Sequence, residues 1–131
     1  MTQTVNRWNI VLSAVLFLLL AAGASAARQP VSLQQTIDHL LDTVSQSGLT
    51  FMRNGKSYTA SEAAAHMRNK YEHFHDDINS AEDFIRLSAT RSLVSGKPYT
   101  LVDRDGREQA TADWLTRMLS EYRNNAMAAG Q

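Results

Sequence analysis

The sequence predicts an α+β domain: about four helices with a small two- or three-stranded antiparallel sheet, after an N-terminal signal peptide. Three observations carry this. Apolar residues recur at helical spacing in four separate stretches. Asn54-Gly55 stands between two short β-forming runs, and that residue pair suits a two-residue hairpin turn. The first 26 residues have the make-up of an export address.

That address has three parts. Arg7 is the one charge before the run Ile10 to Ala22, which is apolar throughout except for Ser13. Gly23 breaks the run, and Ala24-Ser25-Ala26 supplies the small residues of a cleavage site. The run is shorter than the roughly 20 apolar residues that a spanning helix needs. Cleavage after Ala26 leaves residues 27–131 as a single small α+β domain. The expected location is periplasmic, with no stable membrane insertion after cleavage. The 131-residue chain balances 13 basic against 13 acidic side chains, which argues against a nucleic-acid partner. It has no cysteine, so disulfides, thiolate metal sites and cysteine nucleophiles are excluded.

The first helix is read over Ser32 to Ser47. Leu33, Ile37, Leu40, Leu41 and Val44 make one stripe, Ser32 with Gln35 forms a capping box, and Gly48 ends it. The hairpin follows, with Arg53 opposite Lys56 and Phe51 opposite Tyr58. Two cations face each other there, which is unfavourable unless an anion or a carboxylate lies nearby. Thr59 with Glu62 caps the second helix, whose inner face is Ala60, Ala63, Ala64, Met67, Tyr71 and Phe74. Residues 73–79 read as a polar loop. Ser80 caps a third helix, with Ala81, Phe84, Ile85, Ser88 and Ala89 facing inward and Gly96 and Pro98 at its end. Tyr99 to Asp103 reads as a strand that joins the hairpin, and Arg104-Asp105-Gly106 as a turn. The last helix starts near Thr111 and carries Leu115, Met118, Leu119 and Tyr122, with residues 124–131 frayed.

Chemistry-bearing residues fall into two groups. Arg53, Asn54, His66, Arg68, Lys70, Lys97 and Tyr99 form one candidate surface. His66 and Lys70 are four apart on one helix face, so a hairpin folded over that helix would gather cations around a carboxylate or phosphate. His73, His75 and Asp76 are the weak metal candidates, since two imidazoles and a carboxylate are suitable ligand types. A solvated helix end explains them better, and no metal or cofactor is assigned. Asp103 to Glu108 fails as a calcium loop because its glycine stands at position 4. Ser95-Gly96-Lys97 fails as a phosphate loop because the first glycine is missing and Pro98 follows the lysine. No catalytic residue is assigned.

Phe51-x-Arg53-Asn54-Gly55, Ala64-x-His66-x-Arg68-x-Lys70, Ile78-x-x-Ala81-Glu82-x-Phe84-Ile85, Ser95-Gly96-Lys97-Pro98-Tyr99 and Trp114-Leu115 occur in this order. As an ordered set they resemble the YfeK-like family of short exported proteobacterial proteins of unknown function. Met67 stands where the resemblance leads one to expect leucine. The resemblance implies a signal peptide and a periplasmic location, and no catalytic role. The expected function is a non-catalytic binding or protein-interaction module of the cell envelope. Its partner is an envelope protein or an anionic envelope ligand. The alternatives are a small metal-dependent or other envelope hydrolase, or an inhibitor of an envelope enzyme.

Overall fold

A computed structural model describes residues 30–131, so the expected signal peptide and its cleavage site lie outside the described residues. Helix α1 (Leu33–Gln46) begins as its sequence demands. The Ser32 hydroxyl accepts from the Gln35 amide, and the Gln35 side chain accepts from the Ser32 amide. Ile37, Leu40, Leu41 and Val44 are buried along one side. Strands β1 (Thr50–Arg53) and β2 (Lys56–Tyr58) pair with Phe51 opposite Tyr58 and Arg53 opposite Lys56. Asn54 and Gly55 have φ of 52° and 75°, the left-handed pair that a type I′ turn requires.

Helix α2 (Ala60–His73) starts at a Thr59–Glu62 capping box. Its buried alanines 60, 63 and 64 let it lie close to α1, against which it makes its most extensive contact. A 3₁₀ turn (His75–Asp77) and the buried Ile78 follow, within the stretch read from sequence as a polar loop.

Helix α3 (Ala81–Ser88) is shorter than the sequence reading, which carried it to Gly96. Its end has a physical cause. The Thr90 hydroxyl donates to the Ile85 carbonyl, and Arg91 then bridges to Pro98. Residues 91–98 therefore form a tight excursion that returns the chain to the sheet.

Strand β3 (Thr100–Val102) pairs with β1, as expected. A fourth strand, β4 (Glu108–Ala110), corrects the expected count of two or three. It pairs with β3 because the intervening turn is closed at both ends. The Asp103 carboxylate accepts from the amides of Asp105 and Arg107, and Gly106 takes a φ of 78°. The sheet is antiparallel throughout, in the order β2-β1-β3-β4. Helix α4 (Thr111–Ala128) follows directly, with Thr111, Leu115 and Leu119 buried. It is helical across 124–128, within the stretch read from sequence as frayed, and residues 123–131 are exposed.

The helices cover one face of the sheet. Phe51 and Leu101, paired across β1 and β3, are buried on that face, and Trp114 of α4 meets Phe51 edge-on at 6.1 Å. Side chains alternate along a strand, so Arg53 and Tyr99 continue the same face beyond Phe51 and Leu101. Among the described residues, no helix is long and apolar enough to cross a membrane.

Candidate functional site

The interior face turns polar where β1 reaches its hairpin turn. Arg53 lies there, and the β1–β3 register extended by one pair sets Tyr99 across from it. Helix α2 passes over this end of the sheet and presents His66 and Lys70, one turn apart. The four side chains touch. Arg53 Nη1 lies 2.7 Å from His66 Nδ1, and Arg53 Nη2 donates to the Tyr58 hydroxyl at 3.0 Å. His66 Nε2 is 3.0 Å from the Tyr99 hydroxyl. Lys70 Nζ donates to the Arg91 carbonyl at 2.9 Å and, at a longer 3.4 Å, to the Tyr99 hydroxyl. Lys70 is 7% exposed, and its ammonium stands 5.0 Å over the Tyr99 ring.

Arg53 Nη1 also lies 2.9 Å from His66 Nε2, so it faces both ring nitrogens. A guanidinium only donates and a neutral imidazole has one acceptor nitrogen, so Arg53 bonds whichever nitrogen is unprotonated, and the contacts fit either tautomer. The Tyr99 hydroxyl accepts from Lys70 and partners His66 Nε2, as acceptor in one tautomer and as donor in the other. Lys70 has three N–H donors and uses two.

The electrostatics are one-sided. Burial lowers the pKa of His66, and the charges of Arg53 and Lys70 lower it further. Burial lowers that of Lys70, again helped by Arg53. Burial raises that of Tyr99, against the opposing pull of Arg53. The open cleft over these groups has a volume of about 310 Å³ and is walled by Arg53, Asn54, His66, Lys70, Ser92, Leu93, Val94 and Tyr99. No carboxylate is among them. A smaller recess on the other side of Arg53, His66 and Tyr99 is floored by Phe51, Ala63 and Met67. Glu62 also lines that recess, and its carboxylate is held by the Thr59 amide and hydroxyl. Two cations around a cleft without a counter-charge can hold a carboxylate or a phosphate.

Of the seven residues singled out in the sequence, Arg53, His66, Lys70 and Tyr99 converge. Asn54 forms one wall. Its amide nitrogen donates to the Ser92 hydroxyl at 3.2 Å, and its amide oxygen accepts from Ser95. Arg68 is elsewhere, 3.5 Å from Asp38 of α1, because two residues along a helix turn a side chain about 200° away from His66. Lys97 is exposed on the 91–98 excursion, where its amide and carbonyl bond to Ser95 and Ser92. Sequence reading missed Tyr58, Ser92, Leu93 and Val94. Tyr58 had a signal in the hairpin register, whereas the other three were assigned to a helix. His73 lies against Phe74, and His75 sits 3.5 Å from Asp76, both exposed. Among the described residues, no three His, Cys, Asp or Glu side chains converge.

His66 gives a pH test. A depressed folded-state pKa means that the unfolded chain binds a proton first. This group therefore contributes stability above the unfolded value of about 6.5 and loses it as pH falls toward the lower folded value. His66→Gln should flatten that part of the acid limb in urea titrations between pH 7 and 5. An unchanged limb would mean that burial and the two cations do not depress this imidazole.

The chain belongs to a family of unknown function (DUF5329), whose profile matches residues 31–123. It is similar to the Uncharacterized protein YfeK of Salmonella typhimurium, with 39% identity over 64 residues. That match covers 48% of this chain and 53% of the relative, so the chain spans about half the length of the curated relative it matches. Both findings agree with the YfeK-like resemblance of the ordered motifs. No solved structure matches the chain.

Proposed function

We propose that this protein is an exported, periplasmic, non-catalytic binding module of the cell envelope. It holds an anionic group in the cleft over Arg53, His66, Lys70 and Tyr99. One observation carries the reading: a buried ammonium and a guanidinium share a cleft that no carboxylate lines. Burying like charges together costs free energy that folding alone does not recover, and a bound anion offsets it. The hydrolase alternative fits less well. A histidine base is normally oriented by a carboxylate that stabilises its cationic form. His66 instead faces Arg53 and Lys70, which oppose protonation. The export part rests on the sequence of residues 1–26 alone.

The test uses the full chain expressed in a bacterium and recovered by fractionation. The expected protein is periplasmic, with its N-terminus at Ala27. Titrating it with inorganic phosphate, and separately with acetate, should raise its Tm as the anion binds the folded state. Arg53→Gln should weaken that binding about tenfold or more, the effect of losing a charge-assisted contact. Equal shifts in the two proteins, or none in either, would overturn the anion site. Retention in the cytosol would overturn export.

A further inference from the structure

Among the described residues, the two most exposed large apolar side chains are neighbours: Leu93 at 67% and Val94 at 95%. They form the outer lip of the cationic cleft. The turn that carries them is built to hold them out. Ser92 is 4% exposed, and its hydroxyl accepts from the amides of Val94 at 3.3 Å and Ser95 at 3.4 Å and from the Asn54 side chain. The Gly96 amide donates to the Ser92 carbonyl at 2.8 Å, and the Ser92 amide to the Lys97 carbonyl at 3.0 Å. These bonds fix the loop to itself and to the β1–β2 turn. The apolar tip consequently has no route back to the core.

The charge around the tip has one sign. From Phe84 to Val102 the chain carries Arg86, Arg91 and Lys97 and no acidic residue. Arg86 is paired with Asp83 of its own helix. Arg91 and Lys97 make no ion pair among the described residues, and both are exposed beside the tip. Behind the tip lie Arg53 and Lys70.

A free anion in water would use the cations and leave Leu93 and Val94 without purpose. An anionic bilayer surface supplies both partners in one place, phosphates at the headgroup level and acyl chains directly beneath. We infer that the cleft takes the phosphate of an anionic phospholipid at a bilayer surface, with Leu93 and Val94 entering the acyl layer beside it. This rests on the anion-site reading above and specifies its ligand. The attachment is peripheral and reversible, since two side chains are a small anchor.

The experiment uses the full chain processed as in the cell. It is sedimented with vesicles of phosphatidylcholine alone or mixed with phosphatidylglycerol, and separately titrated with glycerol 3-phosphate. The protein should bind the phosphatidylglycerol vesicles and bind them less as salt is raised. Leu93→Asn/Val94→Asn alters only exposed positions and should weaken vesicle binding about tenfold or more, a larger loss than it causes in glycerol 3-phosphate binding. Equal binding to phosphatidylcholine alone, or full vesicle binding by the double variant, would overturn the inference. Binding of glycerol 3-phosphate with no binding to the phosphatidylglycerol vesicles would overturn it too and leave the anion site standing. Failure to bind either would remove both.

Discussion

Replacing Phe84 with alanine should destabilise the fold by about 3–5 kcal/mol, the range for removing a fully buried aromatic ring from a core. Phe84 is 0% exposed and meets the Tyr71 ring edge-on at 5.9 Å. Tyr71 in turn donates its hydroxyl to Gln34 of α1, so one ring supports the junction of three helices. Helix α3 has eight residues, too few to hold itself in water. Domains of this size are stable by about 5–15 kcal/mol in total, so the loss is a large share. Urea denaturation should show a lower midpoint at an unchanged slope. Val94→Ala, at the exposed tip, should stay within about 0.5 kcal/mol of the parent. A Phe84→Ala loss below about 2 kcal/mol would mean that α3 is not docked through this ring.

What the sequence made legible was local. Capping boxes at Ser32 and Thr59 rest on contacts three residues apart, and the hairpin register follows from the two left-handed residues at its turn. Strand β4 left no such trace. Glu108-Gln109-Ala110 contains no strong β-former, and it is a strand because Asp103 and Gly106 turn the chain back onto β3. The end of α3 was hidden for a related reason. Apolar and small residues continue past Ser88 with nothing in the pattern to stop them, and what stops the helix is the pairing of Arg91 with Pro98. The site shows the same division. His66 and Lys70 were joined by helical spacing, and the hairpin placed Arg53 near them. Arg68 was grouped with them on charge alone, and helix geometry sends it to Asp38. Leu93 and Val94 became visible only when residues 91–98 left the helix.

Lys70 separates a functional cluster from a structural one, because the two roles predict opposite signs. If the ammonium were there for the fold, Lys70→Met would be destabilising. The geometry predicts the reverse. The charge is buried, its neighbour Arg53 has the same sign, and no carboxylate lines the cleft. Methionine keeps a flexible stem of similar length and removes the charge. The Arg91 carbonyl loses a donor but belongs to an exposed residue, where water can replace it. Lys70→Met should therefore stabilise the protein by about 1 kcal/mol near neutral pH, the low end of what replacing buried charges by apolar side chains achieves. The pH dependence has a sign as well. A lysine whose folded pKa is depressed destabilises while its amine is charged in the unfolded chain, and this vanishes as pH rises past about 10.5. The advantage of the variant should shrink on the alkaline side and persist on the acid side. The same substitution should weaken phosphate binding about tenfold or more, as Arg53→Gln does, since the cleft would retain one cation in place of two. Stability gained and binding weakened together would mark a residue kept at a cost to the fold for what it holds. Stability lost with the phosphate response intact would make Lys70 a structural lysine and move the anion site away from α2.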